Sequence, residues 1–378
     1  MLVDIDILDW ASLSPLGATK EEVWTSYLSV AHGLSKSNGD WVGALSAHYE
    51  NMLEGISREN TKYQTLDPTV LMAIHTSRQL NKTCFNSACG VNLGSSRGAT
   101  SLFEEFYQDY LDQGKASPQS SPATTLGNIS SWVAQDMGVN GMSMSHSITC
   151  STALHAVANA CAWINAGFSK QFVAGGSEAP LTPFTIAQMK AMRIYASGNE
   201  TSYPCRAFDF SKNQNTMVLG KGCGLFLLGK AAQSKFRIKS LGFSTELITH
   251  GSSISEEGSG LRNAMQMALN GLESNSVDAV VMHTPGTKKG DEAERNAIRV
   301  VFGNKPPLLT NNKWKIGHTL GASGALSMEF ALLMLEHQTF IGLPWEKDSI
   351  QPRPLTTIMV NAAGFGGNAV SVVLELVK

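Results

Sequence analysis

Residues 144–162 read MSHSITCSTALHAVANACA, which predicts a short strand or turn, a reactive cysteine, and then a helix of small residues. Alanines recur along that helix, so it can pack closely against neighbours in the interior. Residues 315–325, KIGHTLGASGA, follow the same plan with a histidine in place of the cysteine. Two units of one plan indicate a duplicated fold whose halves face each other across one site.

Strand-like and helix-like segments alternate along the rest of the chain, as is typical of an α/β layered fold. The predicted strands include residues 172–176, 224–228, 279–282 and 358–361, and the predicted helices include residues 154–166, 261–272, 291–301 and 325–337. The Ser- and Asn-rich stretch 197–215 is interpreted as a long surface loop between the halves.

Composition narrows the class of protein. Charged residues make up 16% of the 378 residues and apolar residues 43%, which favours a large buried core. With a formal net charge of −2 and no basic block, neither nucleic acid nor an anionic membrane is expected as a partner, although a local basic patch could still dock an acidic carrier protein. The acidic N-terminus does not resemble a secretory signal, and no apolar run could span a membrane. We therefore expect a cytoplasmic protein.

Cys150 is the cysteine that we single out among six. The spacing of Cys84 and Cys89, without a second pair, does not favour a disulfide framework or a zinc site. Cys150 lies at the expected N-terminus of a helix, where unpaired N–H groups and the helix dipole lower a thiol pKa and could hold an oxyanion. A buried structural thiol is the alternative, and the local sequence leaves both open.

Two histidines have the setting of catalytic groups. His283 follows a hydrophobic strand, and both histidines lie at strand-to-loop ends near glycine, where backbone can approach a ligand. Two neutral imidazoles can donate hydrogen bonds to one carbonyl oxygen that becomes an enolate. Metal binding is the competing interpretation, but no third ligand stands at a zinc spacing near either histidine.

A glycine-rich loop, NAAGFGGN at residues 361–368, follows the last predicted internal strand. Glycines on both sides of Phe365 leave its backbone N–H accessible and let the loop move. A tight turn is the alternative interpretation. No Lys-Ser or Lys-Thr pair follows, so a phosphate-binding loop is not expected.

Taken in order, these segments resemble the elongating β-ketoacyl-acyl-carrier-protein synthases nearly end to end. The further segments that match this family are Gly94-Ser-Ser-Arg-Gly-Ala, Gly127-Asn-Ile-Ser, Ala174-Gly-Gly-Ser-Glu-Ala, Arg206-Ala-Phe-Asp and Leu219-Gly-Lys-Gly-Cys-Gly. The resemblance implies a thiolase-like five-layered αβαβα fold, built from two duplicated halves in one compact unit. The halves would be residues 1–232, carrying the nucleophilic cysteine, and 233–378, carrying the two histidines.

The resemblance also implies roles. Cys150 would take the acyl group as a thioester from an acyl carrier protein, and malonyl carrier protein would then lose CO2 in a Claisen condensation that adds two carbons. His283 and His318 would stabilise the enolate, with Lys313 beside them. Substrate binding is expected from Phe365, Thr287, Arg97, Ala363 and Gly364. The family needs no metal or organic cofactor and is normally dimeric, so a homodimer or a heterodimer with a ketosynthase-like subunit is expected.

Several positions depart from the family pattern. The family's glutamate nine residues after the second histidine is Ser327 here. Glu329 lies about 200° further round the helix than Ser327, so the partner of Lys313 is left open. Ala363 replaces a large ring, which would widen the site. Arg97 stands at an apolar pocket position. It would pair with the other subunit, make the acyl tunnel polar or blocked, or require a different partner chain.

Three functions remain open on the sequence. The first is an elongating ketosynthase, with a polyene or aryl-polyene pathway as the hypothesis that the departures suggest. The second is a chain-length-factor-like partner subunit without catalysis, against which the complete set of Cys150, His283 and His318 argues. The third is a thiolase that uses acyl-CoA, which normally needs another cysteine near the C-terminus, and no cysteine follows Cys223.

Overall fold

The computed structural model describes residues 2–126, 128–197, 202–231, 234–247, 254–346 and 353–377. The strands are β1 Leu2–Leu13, β2 Ser35–Ser37, β3 Asp40–Gly43, β4 Gly90–Gly94, β5 Ser143–His146, β6 Gln171–Glu178, β7 Leu219–Gly220, β8 Gly222–Gly229, β9 Phe236–Thr245, β10 Ala279–Val281, β11 Leu308–Thr310, β12 Thr357–Ala363 and β13 Asn368–Leu376. The helices are α1 Lys20–Leu28, α2 Ala47–Glu59, α3 Pro68–Ser77, α4 Thr100–Gln113, α5 Ser120–Thr124, α6 Asn128–Met137, α7 Thr152–Asn165, α8 Pro183–Ala191, α9 Ser259–Ala268, α10 Lys288–Phe302, α11 Lys313–Ile316 and α12 Ser323–His337. Short 3-10 turns lie at Thr61–Tyr63, Lys82–Cys84, Ser274–Ser276 and Leu320–Ala322.

One ten-stranded sheet joins two halves of identical topology. Its order is β11-β10-β12-β13-β9-β1-β8-β6-β4-β5. In the N-terminal half, β4 is parallel to β5 and β6, and β8 is antiparallel to β6 and β1. In the C-terminal half, β10 is parallel to β11 and β12, and β13 is antiparallel to β12 and β9. The halves meet where β1 pairs antiparallel with β9. This repeat of connection and direction is the duplication that the two sequence units predict.

Helices lie on both faces of the sheet and between its halves, giving five layers. The N-terminal half of the sheet packs against α3 and α6 on its outer side. The C-terminal half packs against α9 on its outer side, and α10 packs against α9. Between them lie α7 and α12, which contact strands of both halves and each other. The thiolase-like αβαβα fold is therefore confirmed.

Small residues decide how closely the two central helices approach. A Cβ on Gly324 of α12 would lie 2.6 Å from Leu154 Cγ of α7. A Cβ on Gly176 of β6 would lie 2.9 Å from the Cβ of Ala153. Both distances are shorter than real contacts, so glycine at these positions sets the spacing of the middle layer. The alanine and glycine content of the two sequence units thus has a packing cause.

Most predicted helices and strands are confirmed in type, and their predicted ends differ from the observed ends by a few residues. The predicted surface loop 197–215 is wrong in part. Cys205, Ala207 and Phe208 are buried, and the Lys212 ammonium pairs with the buried Asp291 carboxylate. Its residues 198–201 lie outside the described residues, as do residues 232 and 233 at the predicted boundary between halves, which stays a prediction.

Among the described residues, no helix is long and apolar enough to cross a membrane.

Candidate active site

The candidate residues stand at matching places in the two halves. Cys150 lies between β5 and α7, and His318 lies between β11 and α12, so each follows the third strand of its half. His283 follows β10, and Phe365 follows β12. All these loops leave the carboxyl ends of strands that run parallel within their halves, where ligand sites of α/β folds form. The duplication therefore brings a cysteine loop and a histidine loop to one place.

The nucleophile loop is held in an uncommon conformation. Thr149, just before Cys150, has a φ of 48°, in the left-handed region that non-glycine residues rarely adopt. Ser151 Oγ donates to Ile148 O at 2.9 Å and closes the turn before α7 begins at Thr152. Cys150 is 7% exposed and packs in a small apolar cluster that includes Leu320 of the histidine loop. The turn thus presents the thiol to the opposite half.

The ionisation of Cys150 differs from the expectation. Burial, together with the nearby Glu178 carboxyl, raises the pKa of the thiol to about 12, although the positive charge of Lys313 acts in the other direction. The helix also begins two residues later than the cysteine. The predicted easily ionised thiol is therefore wrong for the free protein, because loss of hydration outweighs the helix N-terminus.

Glu178 is a site residue that the sequence reasoning quoted only within a motif. Its carboxyl is buried and accepts hydrogen bonds from Ser95 Oγ (2.8 Å), Ser96 N (2.6 Å), Arg97 N (3.1 Å) and Gly321 N (2.9 Å). Burial raises its pKa to about 7 despite these donors. Because Gly321 belongs to the loop after His318, this carboxyl ties the two halves together beside the cysteine.

The structure brings His283 and His318 together. Their ring centroids are 5.2 Å apart and the rings lie at 80° to each other. Both are almost fully buried, and neither Nδ1 has a hydrogen-bond partner among the described residues. Burial lowers the pKa of His318 to about 3 and that of His283 well below its usual value, and the Lys313 charge adds to both shifts. Both imidazoles are therefore neutral and can act as hydrogen-bond donors.

Backbone contacts fix the histidine loops. Glu294 of α10 accepts from His283 N at 3.0 Å and Thr284 N at 2.8 Å, and also from Asn361 Nδ2 at 3.0 Å. His318 N donates to Val218 O at 2.6 Å. The carboxylate of Glu294 thus couples the His283 loop to β12, from which the glycine loop leaves.

Lys313 is completely enclosed next to the histidines. Its ammonium donates to Ser327 Oγ at 3.0 Å and to Asn312 Oδ1 at 3.4 Å, and burial lowers its pKa to about 8. The open question of its partner is thereby answered by the serine that replaces the family's glutamate. Glu329 faces elsewhere, as expected, and accepts from Ser12 Oγ.

Lys315, which the sequence reasoning did not single out, holds the histidine loop against the N-terminal segment. Its ammonium donates to the carbonyl oxygens of Ser26 (2.7 Å), Ser29 and Ala31 (2.6 Å), at the end of α1. Its own carbonyl accepts from Gly33 N at 2.8 Å. Only the tertiary structure shows this role, since the carbonyls come from a distant segment.

The glycine loop touches the nucleophile loop directly. Thr149 Oγ1 donates to Phe365 O at 3.1 Å, and a Cβ on Gly364 would lie 2.0 Å from that hydroxyl and 3.0 Å from Cys150 N. Ala363, the last residue of β12, is buried, whereas Phe365 is 38% exposed. The glycine loop and the nucleophile loop are therefore in contact, whereas a substrate-binding role for Phe365, Ala363 or Gly364 stays a prediction.

Two expected substrate-binding residues have other contacts. Thr287 caps the N-terminus of α10, where its Oγ1 accepts from Gly290 N at 3.2 Å. The Arg97 guanidinium donates from Nη2 to Gln188 Oε1 at 2.6 Å, while its buried Nε has no partner among the described residues. A substrate role for either stays a prediction. The described residues also include no cluster of three or more His, Cys, Asp or Glu side chains that could hold a metal ion.

Comparison with known proteins gives family matches in both halves. The model of the beta-ketoacyl synthase N-terminal domain matches residues 19–234, and that of the beta-ketoacyl synthase C-terminal domain matches residues 236–343. A 3-oxoacyl-[acyl-carrier-protein] synthase 2 of Staphylococcus aureus is 25% identical over 404 aligned residues, covering 97% of this chain and 99% of the relative.

Solved structures share the fold. The chain is similar to the ishigamide ketosynthase/chain length factor, with a TM-score of 0.86, 18% identity and 100% of both chains covered. It is also similar to a ketosynthase complex in which a type II PKS acyl-carrier protein is bound to its ketosynthase with the hexaketide, with a TM-score of 0.84, 18% identity and 100% of both chains covered. At 18% identity, these similarities show a shared fold and no more.

Proposed function

Because the chain belongs to the β-ketoacyl synthase family, we propose that it is an elongating β-ketoacyl-acyl-carrier-protein synthase, an acyltransferase of fatty acid or polyketide synthesis. One observation carries this proposal. Cys150 shares an apolar cluster with Leu320 of the His318 loop from the other half, and the rings of His283 and His318 are in contact. The charge of the buried Lys313 acts on the pKa of all three reactive side chains. This set serves covalent acyl transfer and carbanion stabilisation.

The first half-reaction loads the cysteine. The Cys150 sulfur attacks the thioester carbonyl of an acyl carrier protein, and the carrier sulfur leaves with the thiol proton. Between attack and departure, the oxyanion of the tetrahedral intermediate would be held by the N–H groups of Cys150 and Phe365, whose loops are in contact. Because burial raises the thiol pKa to about 12, deprotonation is coupled to attack rather than complete beforehand.

The second half-reaction forms the carbon–carbon bond. Malonyl carrier protein loses CO2, and the electron pair of the broken bond forms an enolate whose oxygen accepts hydrogen bonds from the neutral His283 and His318. The enolate carbon attacks the acyl thioester, and the Cys150 sulfur leaves and takes up a proton. The product is a carrier-bound β-ketoacyl chain two carbons longer.

The proposed partners are an acyl carrier protein and a second ketosynthase-like subunit. Strand β5 is one of the two edge strands of the sheet, and the α4 side chains Phe103, Tyr107 and Leu111 are 60%, 56% and 57% exposed. Only Thr100 of α4 is buried. An edge strand that pairs on one side only and an exposed apolar helix face each favour burial against another subunit.

A chain-length-factor-like role is not favoured, because Cys150 is present and the two histidines stand in contact beside Lys313. A polyene or aryl-polyene substrate stays part of the proposal. It is supported by the small side chain of Ala363 at the end of β12 and by the polar contact of Arg97 with Gln188 on α8.

Mass spectrometry tests the proposed function. The purified chain is incubated with carrier proteins bearing a ladder of acyl groups, and then with malonyl carrier protein. We expect an acyl adduct on Cys150 and a carrier-bound product two carbons longer. Cys150→Ala should abolish both, whereas Cys161→Ala, at a buried thiol of α7, should leave both in place.

Condensation that survives in Cys150→Ala would overturn the proposal. So would a wild-type chain that takes up no acyl group with any partner supplied. An adduct without extension would place the chain as a loading subunit and refute independent elongation.

A further inference from the structure

The ammonium of Lys313 has only neutral partners. Its two hydrogen bonds go to Ser327 Oγ and Asn312 Oδ1, and the part of the chain that the structure describes places no carboxylate in an ion pair with it. Its side chain is 1% exposed, so water does not screen the charge. A buried ammonium is usually compensated by a carboxylate in direct contact, and this one is not.

Ser327 is built into the network that holds the lysine. While its Oγ accepts from Lys313, it donates to Asn312 Oδ1 at 3.3 Å. Asn312 Nδ2 in turn donates to the buried Tyr27 hydroxyl at 3.4 Å. Ser327 itself is fully buried on α12. The hydroxyl therefore orients the ammonium without adding a negative charge.

The carboxylates near Lys313 are engaged elsewhere. Glu294 receives His283 N, Thr284 N and Asn361 Nδ2, and Asp291 receives Phe208 N, Gly286 N and Lys212 Nζ. The groups whose titration is linked to the Lys313 charge are Glu294, Asp291, Cys205, Cys150, His283 and His318. Both carboxylates act on the lysine only at longer range.

We propose that Ser327 is a positioning residue that holds Lys313 through a neutral hydroxyl, so that the full ammonium charge acts on Cys150 and on the two histidines. Such a charge favours the Cys150 thiolate and disfavours protonated imidazole. This inference rests on the proposed role of Cys150 as nucleophile, but it concerns the charge of the site rather than the identity of the acyl group.

Thiol alkylation measures this charge without any carrier protein. The rate at which iodoacetamide modifies Cys150 is followed by peptide-resolved mass spectrometry between pH 6.5 and 9.5, in wild type, Ser327→Glu and Ser327→Gln. The two variants are matched in size, and only glutamate adds a negative charge. We expect Cys150 in Ser327→Glu to react about tenfold more slowly at pH 7.5 than in Ser327→Gln, the change that one pKa unit produces.

The dependence of the Cys150 alkylation rate on pH also reports the ionisation of Lys313. Because burial lowers the Lys313 pKa to about 8, the wild-type alkylation rate should rise less steeply above that pH, as the ammonium charge is lost. Ser327→Glu should move this inflection to higher pH, since a carboxylate stabilises the ammonium. Ser327→Ala adds no bulk and should move it to lower pH, since one acceptor is lost.

Equal rates in the Glu and Gln variants would overturn the proposal, because bulk alone would then explain both. An inflection that Ser327→Ala leaves unmoved would also overturn it, and this variant keeps the test open should the larger side chains prevent folding. If condensation fails in the wild type while the alkylation profiles shift as expected, the proposed function falls and the charge role of Ser327 stands.

Discussion

At the scale of single residues, the site depends on one close approach between loops from different halves. Gly364 comes within contact distance of Thr149 and Cys150, and a side chain there would overlap the Thr149 hydroxyl. Thr149 itself carries a left-handed backbone. The geometry of the proposed oxyanion site therefore depends on the absence of one methyl group and on one uncommon φ angle.

Gly364→Ala should lower the acylation rate of Cys150 by about a hundredfold or more. The new Cβ would push the glycine loop away from Cys150 and misplace the proposed oxyanion donors, and loss of one such donor lowers the rate by about that factor in comparable sites. The measurement is the single-turnover rate of acyl transfer. Gly55→Ala, where nothing lies within 4 Å, is the matched control and should not change the rate.

The double variant Gly364→Ala with Thr149→Gly separates this cause from general damage. Glycine accepts the φ of 48° and removes the hydroxyl that the new Cβ would meet. A rate that recovers in the double variant supports the close approach. A double variant no faster than Gly364→Ala would contradict it.

At the scale of elements, α12 is a helix that is enclosed along almost its whole length. Its residues Ser323–Leu335 are all buried, and they include Ser327 and Glu329. Burial raises the pKa of the Glu329 carboxyl to about 7, since its described contacts are Ser12 and no cation in an ion pair. A carboxyl with a raised folded-state pKa stabilises the fold below its unfolded pKa, and that stability is lost as the pH rises through 7.

Glu329→Gln should therefore stabilise the protein at pH 8 by about 2 kcal/mol, because a neutral amide need not ionise in the core. The gain should shrink as the pH falls towards 5. Urea unfolding at both pH values measures it.

Glu336→Gln on the same helix is the control. Its salt bridge to Lys235 is at the surface, so the free energy of unfolding should change by less than about 1 kcal/mol. If the gain from Glu329→Gln is the same at pH 5 and pH 8, the buried carboxyl does not carry the pH dependence.

At the scale of the whole molecule, the sheet of the N-terminal half ends at β5, an edge strand that pairs only with β4 among the described strands. The loop before α4 contacts the residue that follows β5, because Ser147 Oγ donates to Ser96 O at 3.0 Å. Arg97, with an unpartnered Nε, stands in the same loop. These features together support the proposed subunit contact.

Tyr107→Asp should convert the proposed dimer into monomers, because a carboxylate at the centre of an apolar interface cannot be solvated. Light scattering during size-exclusion chromatography gives the mass. Val300→Asp, at an exposed apolar residue of α10 in the other half, should leave the dimer intact. A wild-type chain that is monomeric alone would shift the prediction to a heterodimer, tested by co-expression with a ketosynthase-like subunit.

The sequence by itself determined the layered fold, its duplication and the candidate residues, for a physical reason. Cys150 and His318 each precede an apolar helix with small residues, and the small residues allow the two helices to pack closely in the interior. The glycines around Phe365 marked a loop with an accessible N–H, but the close approach of Gly364 to Thr149 was visible only in the structure. These features are local, and local features can be read along a chain.

Only the tertiary structure decided which groups set the charge of the site. The partner of Lys313 lies fourteen positions away, the carboxyl of Glu178 reaches Gly321 across the two halves, and Lys315 meets carbonyls of the N-terminal segment. Burial also reversed the expected ionisation of Cys150. Desolvation and long-range hydrogen bonds depend on what surrounds a group in three dimensions, and the order of residues does not give that environment.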